Sequence, residues 1–204
     1  MPIAGPSGEP PVQPSARDAS PRFLGPQRAT ASFLWRHPSH LIALGLGSGL
    51  SPWAPGTVGT LWAWLSFLIL EPWVSRLGDW GWAGVIVAAL LLGQWACTRT
   101  AQHLRVADPG AIVWDEVVAF WLVLWLWLPA GLWAQLLAFL LFRYFDAAKP
   151  GPVGWADRRF KLKPGEAIGW RQGAGILLDD LVAAACTLLS LALGLRLWQW
   201  MVSA

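Results

Sequence analysis

The feature that most constrains this chain is a long stretch without charge. From Val117 to Phe142 there is no Asp, Glu, Lys or Arg. A hydrophobic helix of about 20 residues crosses a bilayer, so this stretch is long enough. Pro129-Ala130-Gly131 interrupts it, and that combination is a strong helix stop. The spacing predicts two short helices with a tight turn; one kinked helix is the alternative. Other apolar runs flank it: Thr57–Leu70 continuing to Leu77, Gly81–Cys97, and a last element from near Ile176 to Leu195. Leu41–Leu50 is too short and too rich in glycine for a firm helix. The expectation is an all-α, compact helical bundle, integral to the membrane, with four to five hydrophobic helices. Several are short, so the number of full crossings stays open.

Composition supports this. Only 13% of residues are charged, against about 25% in soluble domains. Seventeen tryptophans suit the membrane–water boundary. A disordered chain would be poor in apolar residues. The net charge of +3 comes without a long basic patch interleaved with aromatics, so no nucleic-acid partner is expected. Membrane lipids with anionic headgroups are suitable partners. Residues 1–38 are rich in Pro, Ser and Arg and are expected to be a flexible N-terminal tail. No run there is long enough for a signal peptide. Residues 39–204 form the expected membrane-embedded domain. Cys97 and Cys186 lie in apolar runs and read as inert buried thiols.

The charges are not spread evenly. Most Lys and Arg fall in 98–116 and 143–175, which alternate spans would place on one side. The loop between the first two spans carries Arg76. By the positive-inside rule the charged loops face the cytoplasm, which implies a multi-pass membrane protein.

Acidic residues on these loops flank apolar helices: Asp115 and Glu116 before Val117, Asp146 after Phe142, and Asp179 and Asp180 at the expected start of the last helix. Ionised groups at membrane depth are costly and face a bundle interior or the interface. Carboxylates from three helices could hold a hard cation, Mg²⁺ being the most plausible; helix capping with Arg/Lys pairing is the bland reading. Arg143 and Asp146 are three residues apart and can share a helix face. Arg143 and Lys149 could grip a phosphate, or simply anchor the protein at the membrane. Gly56 and Thr57, within APGTVGT before a helix, and Gly173-Ala174-Gly175 could offer backbone N–H groups to an anion, or be plain turns. Thr57 or Thr60 could cap the helix. His37, His40 and His103 show no metal-ligand spacing, which argues against a zinc site and a phosphohistidine. Arg158, Arg159, Lys161 and Lys163 read as a headgroup-facing cluster. No nucleophile elbow or nucleotide-binding loop occurs.

Four segments together resemble the phosphatidylglycerophosphatase A family: GLGSGLSPWAPGTVGT (45–60), DPGAIVWDEVVAFW (108–121), FRYFDAAKPGPVGWADRR (142–159) and GAGILLDDLVAA (173–184). They occur in the family's order. The resemblance implies an all-helical Mg²⁺-dependent phosphatase of the bacterial cytoplasmic (inner) membrane that removes the terminal phosphate of the lipid phosphatidylglycerol phosphate. It implies catalytic roles for Asp115, Glu116, Asp146, Asp179 and Asp180, with Glu116, Asp146, Asp179 and Asp180 as metal ligands. Arg143, Lys149, Gly56 and Thr57 would bind phosphate. The chain departs from the family pattern at 159–172, a longer and more basic connection in which Gln172 stands where many members have glycine. The oligomeric state is not legible. A membrane transporter would place ionisable groups near mid-membrane, whereas these lie at helix ends. A non-enzymatic scaffold gives no reason for three acidic sites beside an Arg/Lys pair, and a lipid-phosphate transferase lacks its paired Asp-x-x-Asp signature.

Overall fold

The computed structural model describes residues 25–78, 80–128, 130–162 and 166–203. Eight α-helices order the described residues: α1 (Ala31–Leu34), α2 (Pro38–Ala43), α3 (Pro55–Val74), α4 (Gly81–Leu104), α5 (Trp114–Trp127), α6 (Leu132–Ala148), α7 (Pro152–Phe160) and α8 (Trp170–Ser203). No strand occurs among them, so the fold is all-α as expected. Residues 1–24 of the expected tail, Pro129 of the stop signal and Lys163 of the basic insert lie outside the described residues. The part of residues 1–38 that is described packs down. Phe33 and Leu34 are buried with Leu44 and Leu104, and the Gln27 N–H donates to the Leu104 carbonyl at 2.9 Å.

Among the described residues three helices are long and apolar enough to cross a membrane: Pro55–Leu77, Gly81–Leu104 and Trp170–Ser203. Their outer faces carry exposed Leu65, Ile69, Leu91, Leu92, Leu189 and Leu193, which water would penalise and lipid tails accept. Between them, α5 and α6 span 14 and 17 residues, short of a full crossing. Helix α5 ends at Trp127 and α6 begins at Leu132, in keeping with two helices rather than one.

The core lies where α5 meets α3 and α8. Phe67, Phe120 and Phe142 are fully buried there. Two indole N–H groups of this core find partners: Trp121 Nε1 donates to the Ala63 carbonyl at 3.0 Å, and Trp64 Nε1 to Gln135 Oε1 at 2.7 Å. In a lipid-facing bundle an unpartnered N–H is expensive.

Two local expectations change. Helix α3 starts at Pro55, with Ala54 in the left-handed region as N-cap and no side-chain cap. Thr57 and Thr60 therefore sit inside the first turns and cap nothing, because Pro at N1 starts the helix without needing one. Helix α8 starts at Trp170, earlier than the Ile176 expected. Gly173 and Gly175 are thus helical and form no anion-binding turn. Their bare Cα atoms permit close packing: a Cβ on Gly173 would collide with Thr98 Oγ1, and one on Gly175 with the Phe160 side chain. A pair of nearby glycines suggests a turn; the packing needs of α4 and α7 explain this pair better.

Candidate active site

Loop and helix ends bring the acids together. The Val113 N–H donates to the Ala43 carbonyl at 2.9 Å, which anchors the entry to α5. Trp114 then packs against Gly93 and donates Nε1 to the Ala89 carbonyl at 3.0 Å. With that first turn fixed, Asp115 and Glu116 face α8. One carboxylate oxygen each from Asp115, Glu116 and Asp180 lies within 4.8 Å of the others. Asp180 sits inside α8, not at its start, and is only 3% exposed. Asp146, near the end of α6, is buried beside this group and ion-paired with Arg143.

This group has more acid than base. Asp115 Oδ1, Glu116 Oε2 and Asp180 Oδ2 are buried and lack any hydrogen-bond partner. Arg143 is the nearby cation, touching Asp146 directly and Glu116 Oε1 at 3.9 Å. Buried, unpaired carboxylate oxygens are costly. A cluster of hard oxygen donors with open lone pairs fits a divalent cation. Side chains that could hold a metal are therefore Asp115, Glu116 and Asp180, with Asp146 at the edge.

The start of α3 meets the same group. A Cβ on Gly56 would collide with Glu116 Oε1 and lie 3.1 Å from Arg143 Nη2, so a larger residue would push the Glu116 carboxylate out of place. The Val58 N–H bonds back to the Ala54 carbonyl, and Pro55 has no N–H. The Gly56 and Thr57 N–H groups, in the first turn, have no acceptor within the helix. Thr57 is half-buried. Thr60, not among the expected site residues, donates its hydroxyl to the Gly56 carbonyl at 2.8 Å and receives Arg143 Nη1 at 3.3 Å. Its position four residues after Gly56 is the signal that could have found it.

Lys149 does not join Arg143. It caps α6 in the left-handed conformation, φ 45°, a backbone state that costs a non-glycine residue on the order of 1–2 kcal/mol. The turn sends Nζ to Asp157 Oδ1 at 2.8 Å and Asp179 Oδ2 at 2.5 Å. Lys161 bonds the other oxygen of Asp157 at 2.9 Å. Burial would lower the Lys149 pKa, yet its two carboxylates hold it above the ordinary lysine value. Burial would likewise raise Asp157, but Lys149 and Lys161 hold it below the usual carboxylate range. Asp179 is therefore drawn to Lys149 rather than to the trio, with Oδ1 left buried and unpartnered. Asp108, Asp157, Lys161 and Asp179 line a cavity of about 100 Å³ beside it. Asp157 is a site residue that sequence reasoning missed. It lies within the FRYFDAAKPGPVGWADRR segment, but the Pro150-Gly151 break hides its pairing with Lys149.

Fold and site together define an all-α protein with membrane-type helices and a buried acidic centre at one end. The family model of phosphatidylglycerophosphatase A matches residues 41–195, and the chain belongs to that family. It is 36% identical over 159 residues to the phosphatidylglycerophosphatase A of Escherichia coli K12, covering 72% of this chain and 77% of the relative. With the protein of that name from Haemophilus influenzae it shares 38% over 149 residues, covering 72% and 83%. A Bacteroides thetaiotaomicron protein, provisionally named a phosphatidylinositol-3-phosphatase, is 32% identical over 168 residues, covering 79% and 94%. No solved structure matches at a significant level.

Proposed function

We propose that this protein hydrolyses the terminal phosphate monoester of phosphatidylglycerol phosphate, with Mg²⁺ as cofactor, at the cytoplasmic face of the bacterial inner membrane. The observation that carries this reading is the trio Asp115, Glu116 and Asp180, buried with unpartnered oxygens, beside Arg143 and the open start of α3. The names of the Escherichia coli and Haemophilus influenzae relatives supply the substrate.

Each part of the site has its own task. Asp115, Glu116 and Asp180, with Asp146, hold the cation. A divalent ion bound there supplies Lewis acidity toward a phosphoryl oxygen and lowers the pKa of bound water. Arg143, oriented by Asp146 and Thr60, offsets charge on the phosphoryl oxygens. The Gly56 and Thr57 N–H groups donate to the same phosphate. Lys149, held by Asp157 and Asp179, meets the second phosphate or the outer oxygens of the first. Water oxygen bonds to phosphorus while the bond from phosphorus to the glycerol oxygen breaks. A carboxylate of the group takes the water proton, and the leaving oxygen gains one, giving phosphatidylglycerol and inorganic phosphate. The acyl tails stay in lipid along the spans.

The test uses purified protein in detergent with phosphatidylglycerol phosphate. Inorganic phosphate release in Mg²⁺ that stops with chelator is the expected result. No release under any divalent cation removes the proposal. A phosphatidylinositol 3-phosphate arm separates the headgroups that the relatives' names suggest. Comparing metal binding with turnover in Asp115→Asn and Asp179→Asn separates ligand from base.

A further inference from the structure

A second group of ionisable side chains lies outside the acidic centre. His103 lies 63 residues beyond His40 in the sequence, yet the fold gathers it with His37 and His40 where α2 packs against the end of α4. Their ring centroids are 5.0–5.7 Å apart. With Arg36 and Arg105 they line an open cavity of about 390 Å³, and among the described residues no acidic side chain lines it.

The hydrogen bonds decide what this cavity can hold. His40 is buried, and its Nδ1 lies 2.7 Å from the Phe33 carbonyl. A carbonyl only accepts, so Nδ1 carries the proton. His40 Nε2 is 2.8 Å from His103 Nδ1. With His40 neutral, as burial favours, Nε2 accepts and His103 Nδ1 donates. His37 Nδ1 accepts the Ser39 N–H at 3.2 Å and lies 2.8 Å from the Ser39 hydroxyl, so its proton is on Nε2. Two of the three lone pairs a metal would need are taken: His37 Nδ1 caps α2, and His40 Nε2 is bound to His103, which leaves His103 Nε2 as a single histidine ligand. The cavity is left with the His37 Nε2–H donor and the exposed guanidinium of Arg36. Burial, with His37 and Arg99 nearby, disfavours charge on His103, so an anion arriving beside it is what would favour its imidazolium form.

Donors and cations without a lining acid suit an anion. The cavity sits at the C-terminal end of α4, one of the helices long enough to cross the bilayer. Trp35, 74% exposed, stands beside Arg36, as interfacial tryptophans do. Basic groups at that level attract anionic headgroups. We propose that this histidine–arginine cavity binds a phosphate group, free or carried by an anionic phospholipid, separately from the acidic centre.

All three histidines of the chain lie here, so histidine signals report on this cavity alone. Full-length protein with ¹³C-labelled histidine would be placed in phosphatidylcholine nanodiscs. One arm adds inorganic phosphate; the other replaces part of the lipid with phosphatidylglycerol. His103 signals should move toward the imidazolium form. A response to inorganic phosphate assigns free phosphate, and a response to phosphatidylglycerol alone assigns a headgroup. Arg36→Gln, at an exposed position, should weaken the response at least about tenfold, the loss of one charge-assisted contact. Arg143→Gln, in the acidic centre, should leave it unchanged. Silent histidine signals in both arms would overturn the proposal. So would an undiminished response in Arg36→Gln, or a response that disappears in Arg143→Gln.

Discussion

Two acidic groups sit side by side in this protein, and they are built differently. In the inner one, Asp115, Glu116 and Asp180 crowd together with orphaned oxygens and Arg143 as the neighbouring cation. In the outer one, Asp157 and Asp179 share Lys149, and Lys161 supports Asp157. The outer group is balanced charge for charge; the inner is not. A balanced group holds α6, α7 and α8 in place. An unbalanced buried one lowers stability unless a cation completes it. On the proposed function, the inner group takes the cation, and the outer group holds the helices and presents Lys149 to the substrate.

Substitutions can break this contrast. The largest effect is expected for Glu116→Gln or Asp180→Asn, each losing turnover on the order of 10²–10³-fold, read from initial rates in saturating Mg²⁺. Without the ion, Asp180→Asn should raise thermal stability, because it removes a buried carboxylate that no cation pairs among the described residues. Arg143→Lys should lose about 100-fold, since an ammonium cannot replace a planar fork between two carboxylates and Thr60. Gly56→Ala should follow at about tenfold, because a methyl group displaces the Glu116 carboxylate; overpacking costs roughly 1–3 kcal/mol.

Lys149→Met tests the outer group. It should destabilise the fold, and the sign of its pH dependence follows from the pairing. Asp157 has a lowered folded pKa, so its contribution is full above the ordinary carboxylate value and lost as pH falls through the folded one. Lys149 has a raised folded pKa, so its contribution is full below the ordinary lysine value and lost only at higher pH. The stability gap between the wild type and Lys149→Met should therefore be largest near neutral pH, narrow in acid, and narrow again well above about pH 10. Thermal melts across pH check it. The smallest effect belongs to Lys161→Gln. Its side chain is 67% exposed, and a surface pair contributes about 0–1 kcal/mol.

Much of this architecture is legible in the amino-acid sequence. Charge-free runs mark the helices, and the Pro129-Ala130-Gly131 interruption marks the break between α5 and α6. The acids stand out because ionised side chains beside apolar helices need a reason. The division between the two groups is hidden, because it depends on backbone at two places. Lys149 turns through a left-handed residue before a Pro-Gly break, which carries its side chain away from Arg143. Trp170–Gln172 continue α8 backward, which puts Asp180 inside the helix facing Asp115 and Glu116. Neither follows from composition or period. The histidines are illegible for a related reason: their sequence separation matches no ligand spacing, and only the packing of α2 on α4 joins them.

The most direct test of the central claim is Mg²⁺ titration by calorimetry on wild-type protein in detergent, beside Glu116→Gln, Asp180→Asn and Lys149→Met. The account predicts saturable binding in the wild type and in Lys149→Met, and its loss in the two inner variants. Equal binding in all four proteins, or loss only in Lys149→Met, would contradict it.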